Sequence, residues 1–151
     1  MRALLSSLVI VLGLGCGNGK TDAPAPFAAV AQQCRDKHEL GCPRPIFAVK
    51  NLPASLGYYR DILGFKIDWE WGEPADFASV TRGNATIFLG QDSHGGDGAL
   101  WVFAKKVDKL YEELRKKGAT IKMPPTDMPW GAREMHVIDR DGNLLRFGGP
   151  T

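Results

Sequence analysis

Glu134 and His136 stand two residues apart in the stretch Ala132-Arg-Glu-Met-His-Val-Ile138. Alternation along an extended strand puts both side chains on one face, the placement an acid/base pair needs. The same spacing is ordinary in a half-buried sheet, so these two are weak catalytic candidates. No serine or cysteine has a recognisable base in a motif around it, and no nucleophilic triad is arguable. His94 lies in a Gly/Asp loop with no identifiable partner. Asp139-Arg-Asp-Gly-Asn143 begins like a calcium loop, but Pro150 falls where a bidentate glutamate is required, so it reads as a hairpin turn.

The cysteines belong to a different chemistry. Arg2 precedes an apolar run over residues 3–14, followed by Gly15, Cys16 and Gly17. Twelve residues at about 1.5 Å each are too short to cross a hydrocarbon layer of about 30 Å. A positive end, a short apolar core and small residues after it make a signal peptide. Cys16 at that point resembles a bacterial lipobox, which predicts an exported, membrane-anchored lipoprotein acylated at Cys16. Gly13 departs from the usual aliphatic residue, and cleavage near Ala23–Pro24–Ala25 would instead release a periplasmic or secreted protein. In an oxidising compartment Cys34 and Cys42 are expected to form a disulfide. A metal pair with His38 between them is the rival reading, although the spacing lacks the tightness of structural zinc sites. Gly13-Leu-Gly-Cys-Gly-Asn-Gly19 has no strand before it or helix after it, which removes a nucleotide loop.

The elements that must position these residues follow from periodicity. The chain has 151 residues, 44% hydrophobic and 24% charged, enough for one core, and a net charge of +2 with no basic aromatic stripe gives no case for nucleic acid. Residues 1–16 are assigned to the signal peptide, 17–43 to a tether with the Cys34–Cys42 loop, and 44–151 to one domain. Within it, 46–50 reads as a strand, and Leu56, Tyr59, Ile62 and Leu63 as a helix stopped by Gly64. Residues 65–71, 75–81 and 85–89 read as three strands. The order then repeats: strand 99–104, helix carrying Val107, Leu110, Tyr111 and Leu114, short strand 120–122, a Pro-rich loop 123–129, and a hairpin of 133–138 with 143–147. Two βαβββ modules (44–91 and 98–149) predict an α+β fold whose paired sheets curl around a cavity with helices outside.

The stretch Asn51-Leu-Pro-Ala-Ser-Leu-Gly-Tyr-Tyr-Arg-Asp-Ile-Leu-Gly-Phe65 resembles the opening of a vicinal-oxygen-chelate domain, the glyoxalase/bleomycin-resistance/dioxygenase superfamily. Pro129-Trp-Gly-Ala-Arg-Glu-Met-His-Val-Ile-Asp-Arg-Asp-Gly-Asn-Leu-Leu-Arg-Phe147 resembles its end. Leu100-Trp-Val-Phe103, Leu110-Tyr111 and Pro129-Trp-Gly131 are similar to bleomycin-resistance proteins in particular. The resemblance covers residues 45–150. Metal-using members take one ligand from each of four strands, and those positions fall at Arg44, Phe88, Ala99 and Arg146. None is an ordinary metal donor, and arginine would repel a cation, so no metal or other cofactor is expected.

The resemblance implies a ligand-binding cavity lined by Trp101, Phe103, Trp130, Phe88, Arg146 and Arg44, with Trp69 or Trp71 either at its rim or in the core. Aromatic faces beside fixed cations suit a planar ligand with an anionic or carbonyl group. The expected function is a non-metal small-molecule binder of the bleomycin-resistance type, working as a homodimer. Bleomycin itself is cationic, which the two arginines oppose. The alternative is an enzyme of the superfamily, a glyoxalase-like lyase or isomerase or a dioxygenase, with Arg146 as electrophile and Glu134 or His136 as base. A third possibility is an envelope protein whose domain mediates assembly.

Overall fold

The computed structural model describes residues 42–151. The expected signal segment, the acylation site Cys16, the tether and the Cys34 half of the expected disulfide lie outside the described residues; Cys42 itself is disulfide-bonded. Among the described residues no helix is long and apolar enough to cross a membrane.

The first module opens with strand β1 (Ile46–Val49). Helix α1 (Leu52–Gly57) follows, and Asn51 caps it by accepting the Ala54 N–H at 2.9 Å while Pro53 occupies its first turn. A π-helical turn over Tyr58–Ile62 continues α1 and swings Tyr59 fully into the core. Gly64, at φ +72, ends it in a backbone conformation that side chains disfavour. Strands β2 (Lys66–Gly72), β3 (Ala75–Arg82) and β4 (Ala85–Gln91) complete the module. The second module repeats the order with β5 (Ala99–Phe103), α2 (Val107–Lys116), β6 (Thr120–Asp127), β7 (Ala132–Ile138) and β8 (Leu144–Pro150).

Two four-stranded mixed sheets result, β1-β4-β3-β2 and β5-β8-β7-β6, each with one parallel pair (β1 with β4, β5 with β8). They stay separate sheets rather than closing into one. The expected boundaries fail at one element: the Pro-rich segment 123–129, read as a loop, extends strand β6 as far as Asp127. Strand β6 is an edge, where a proline's missing N–H costs no ladder bond, and the register shifts around Pro124 and Pro125.

Alternation gives each sheet one face towards the helices. Phe47, Val49, Ala78, Val80, Ile87 and Leu89 of the first sheet and Met135, Val137, Leu145 and Phe147 of the second join Leu52, Leu56, Tyr59 and Leu114 in one cluster. Full burial of a residue such as Leu114 stabilises the fold by about 1.5–3 kcal/mol. The β7–β8 turn clasps the modules together. Asp139 accepts the Tyr59 hydroxyl at 3.0 Å and the Asn143 amide at 2.8 Å, and Asn143 in turn donates to the Ala48 carbonyl at 3.0 Å. Asp141 accepts the Lys50 N–H at 2.9 Å and the Ser55 hydroxyl. The calcium-like motif is thus a turn whose carboxylates are consumed by protein donors. The opposite face of each sheet carries the residues singled out for chemistry.

Candidate functional site

On the second sheet, register decides which side chains meet. Trp101 of β5 pairs with Arg146 of β8, Arg146 with His136 of β7, and Gly148 of β8 lies between Phe103 and Glu134. All of these share the face turned away from the core. Glu134 is its centre and is almost wholly buried, 2% exposed. Its Oε1 accepts the indole N–H of Trp101 at 3.2 Å and of Trp130 at 3.1 Å. Its Oε2 accepts Arg146 Nη2 at 2.7 Å, and His136 Nε2 lies 3.5 Å from the same oxygen. Burial pushes the Glu134 carboxyl up, but hydrogen bonds from Arg146, Trp130 and Trp101 outweigh it and hold the group below the usual carboxylate value.

The indoles themselves are open. Trp101 is 47% exposed and Trp130 62% exposed, with Phe103 also exposed and 6.5 Å from Trp101 centroid to centroid. Trp101 can lie across β8 because position 148 is glycine. A Cβ there would fall 2.7 Å from Trp101 Nε1 and displace the ring. The sequence reading missed both Gly148 and the role of Glu134 as a shared acceptor. The Gly148–Gly149 pair inside a strand was the available signal, because a strand glycine marks a close approach.

A groove of about 720 Å³ runs beside this face, lined by Arg44, Arg82, Thr86, Trp101 and Phe103 among others. That volume suits a drug-sized ligand. Arg82 is tied to Glu113 at 2.8 Å and to the Leu63 carbonyl.

Phe88 is elsewhere. It sits on the open face of the first sheet, in a trio with Trp69 (5.4 Å between centroids) and Phe77 (5.6 Å). Trp69 is buried in that trio, whereas Trp71 is exposed near the end of β2. Beside the trio, Asp68, Ser79, Thr81 and Thr86 form a hydroxyl–carboxylate chain. The structure therefore gathers Trp101, Trp130, Arg146, Glu134 and His136 on one face, brings Arg44 to its groove, and leaves Phe88 apart.

One expectation changes in substance. Arg146 was read as a fixed cation facing the ligand, but Glu134 neutralises it, so the face does not repel a cationic molecule as two free arginines would. Arg44, Phe88, Ala99 and Arg146 do not fit a metal, since a methyl, a phenyl ring and two guanidiniums offer no lone pair to a cation. Among the described residues no group of three or more His, Cys, Asp or Glu side chains could hold an ion.

Comparison with known proteins agrees with this architecture. Residues 42–147 match the family model described as Glyoxalase/Bleomycin resistance protein/Dioxygenase superfamily. An uncharacterized protein YraH of Bacillus subtilis is 29% identical over 116 residues, covering 66% of this chain and 90% of the relative. The bleomycin-binding protein of bleomycin-producing Streptomyces verticillus, solved with copper(II)-bleomycin, superposes with a TM-score of 0.64 at 26% identity, over 76% of this chain and 99% of that one. A lactoylglutathione lyase of Agrobacterium tumefaciens superposes at 0.61 with 15% identity, over 76% and 96% of the two chains, a likeness of fold alone.

Proposed function

The chain belongs to the glyoxalase/bleomycin resistance protein/dioxygenase superfamily, and from that premise we propose that it is a non-metal small-molecule-binding protein whose ligand is planar and conjugated. The observation that carries this is the buried Glu134 carboxylate holding two exposed indoles and a guanidinium. Holding both N–H groups leaves the π-faces of Trp101 and Trp130 to the ligand, and preorganised rings lose little freedom on binding. Phe103, 6.5 Å from Trp101 between ring centroids, extends the platform. The bleomycin-binding neighbour supports a small-molecule ligand, and the pairing of Arg146 with Glu134 weakens the charge argument against a cationic one.

Binding is favoured over proton transfer at this face. A general base needs a free lone pair directed at substrate, and the Glu134 oxygens are already engaged by three donors with His136 beside them. We further propose that the protein is exported, anchored by a lipid on Cys16, and acts as a homodimer. The signal-like residues 1–16 support the first two, and the exposed Ile46, Trp71, Trp101, Phe103 and Trp130 leave apolar surface for a second copy and a ligand to cover.

The test is a titration of tryptophan emission in the mature protein with bleomycin and with a panel of planar aromatic acids, alongside metal content by mass spectrometry. Saturable binding whose affinity falls about tenfold in Trp101→Ala or Trp130→Ala, read from the remaining tryptophans, supports the reading. Stoichiometric zinc, iron or manganese, or saturable binding indifferent to both substitutions, contradicts it.

A further inference from the structure

The groove beside Trp101 has a second wall, and the hydrogen-bond direction on it is fixed by chemistry. Thr81 and Thr86 are cross-strand partners on β3 and β4, with their hydroxyl oxygens 2.9 Å apart. Thr81 Oγ1 also lies 2.6 Å from Asp68 Oδ2, and Ser79 Oγ lies 3.0 Å from the same oxygen. A carboxylate accepts only, and a hydroxyl has one proton to give. Thr81 and Ser79 must therefore donate to Asp68. That leaves Thr81 able only to accept from Thr86, whose single proton is then spent. Thr86, buried and among the residues that line the groove, can meet a ligand only as an acceptor. Trp101, which also lines the groove, has its N–H committed to Glu134.

We propose that Asp68, acting through Thr81, makes Thr86 an acceptor-only specificity residue, so that the groove selects planar ligands presenting an N–H or O–H donor. The proposal rests on the reading of Trp101 and Phe103, which also line this groove, as rings that meet the ligand. An acceptor group set against Thr86 would leave two lone pairs facing each other and neither satisfied, which is what turns a hydrogen bond into discrimination. Cross-strand hydroxyl pairs can also serve sheet stability alone, and the test separates the two roles.

The probes are indole, which carries an N–H donor, and benzoxazole, a ring of matching shape with acceptors only. Both are titrated into the mature protein and followed by NMR shifts. Indole is expected to bind roughly three- to tenfold more tightly. Thr86→Val removes that preference by weakening indole alone, and Thr86→Ser restores it. Asp68→Ala removes the acceptor that takes the Thr81 proton, so Thr81 can donate to Thr86 and Thr86 into the groove, and the preference for indole is lost. Equal binding of both probes, lost together in Trp101→Ala, overturns the selection while leaving the site reading intact. Binding of neither probe overturns both. An Asp68→Ala variant that leaves the preference for indole in place assigns the chain to sheet stability and ends the proposal; should that variant not fold, the Thr86→Val and Thr86→Ser pair decides.

Discussion

Two carboxylates in this protein are buried to almost the same degree, Asp139 at 4% and Glu134 at 2% exposure, yet they sit in opposite kinds of surroundings. Asp139 takes its hydrogen bonds from the Asp141 and Asn143 backbones at 2.9 and 2.8 Å and from the side chains of Asn143 and Tyr59, both wholly buried. Glu134 takes its bonds from two exposed indoles, at 47% and 62%, and from a partly exposed guanidinium. In one case a buried acid ties core to core. In the other it ties surface rings to the core and leaves their faces free. Burial of the acid is thus the same in both, and what differs is whether its donors are buried or exposed. The Tyr59 hydroxyl fits the first category: burial and then the Asp139 charge push its pKa well above the usual tyrosine value, so it stays a donor.

The comparison breaks most sharply at Asp139→Ala, which strands four donors, two of them backbone. A loss on the order of 3 kcal/mol or more in urea unfolding is expected, with ligand affinity of the folded fraction unchanged. Next in size is Trp101→Ala, for which affinity should fall about tenfold while stability moves by less than about 1 kcal/mol, because the side chain is half exposed. Gly148→Ala sharpens the contrast further. Its Cβ would press on the Trp101 ring rather than on backbone, so the expected outcome is a several-fold loss of affinity and a shifted Trp emission, with little change in unfolding midpoint. The smallest effect is a change of shape with pH. Glu134 has a folded pKa below the ordinary 4.5, so its contribution is complete above that value and is lost as pH falls through the folded one. Glu134→Gln should flatten that part of the acid limb of stability, measured as urea midpoint against pH.

The fold was legible because its signals are local. Alternating apolar residues, the Gly64 stop, the Asp139–Asn143 turn and the repeated strand–helix–strand order all act within a few residues of themselves. Strand β6 was misread for the same reason: Pro124 and Pro125 look like a loop until the segment is known to be an edge strand. The site was legible only in parts. Parity placed Glu134 with His136 and Trp101 with Phe103, and the family resemblance singled out Trp130 and Arg146. That two indoles, from positions 101 and 130, converge on one oxygen of Glu134 depends on β8 lying between β5 and β7 and on Gly148 leaving room. Neither fact is carried by any short stretch of sequence.

The most direct measurement is residue-resolved NMR of the mature protein during titration with a planar aromatic ligand that gives saturable tryptophan quenching. The account predicts shifts concentrated at the Trp101 and Trp130 indole N–H signals, at Phe103 and at Arg146, with Tyr59, Asp139 and Asn143 unmoved. Shifts centred on the Asp139–Asn143 turn or on the Trp69–Phe77–Phe88 trio, with both indole signals still, would contradict it.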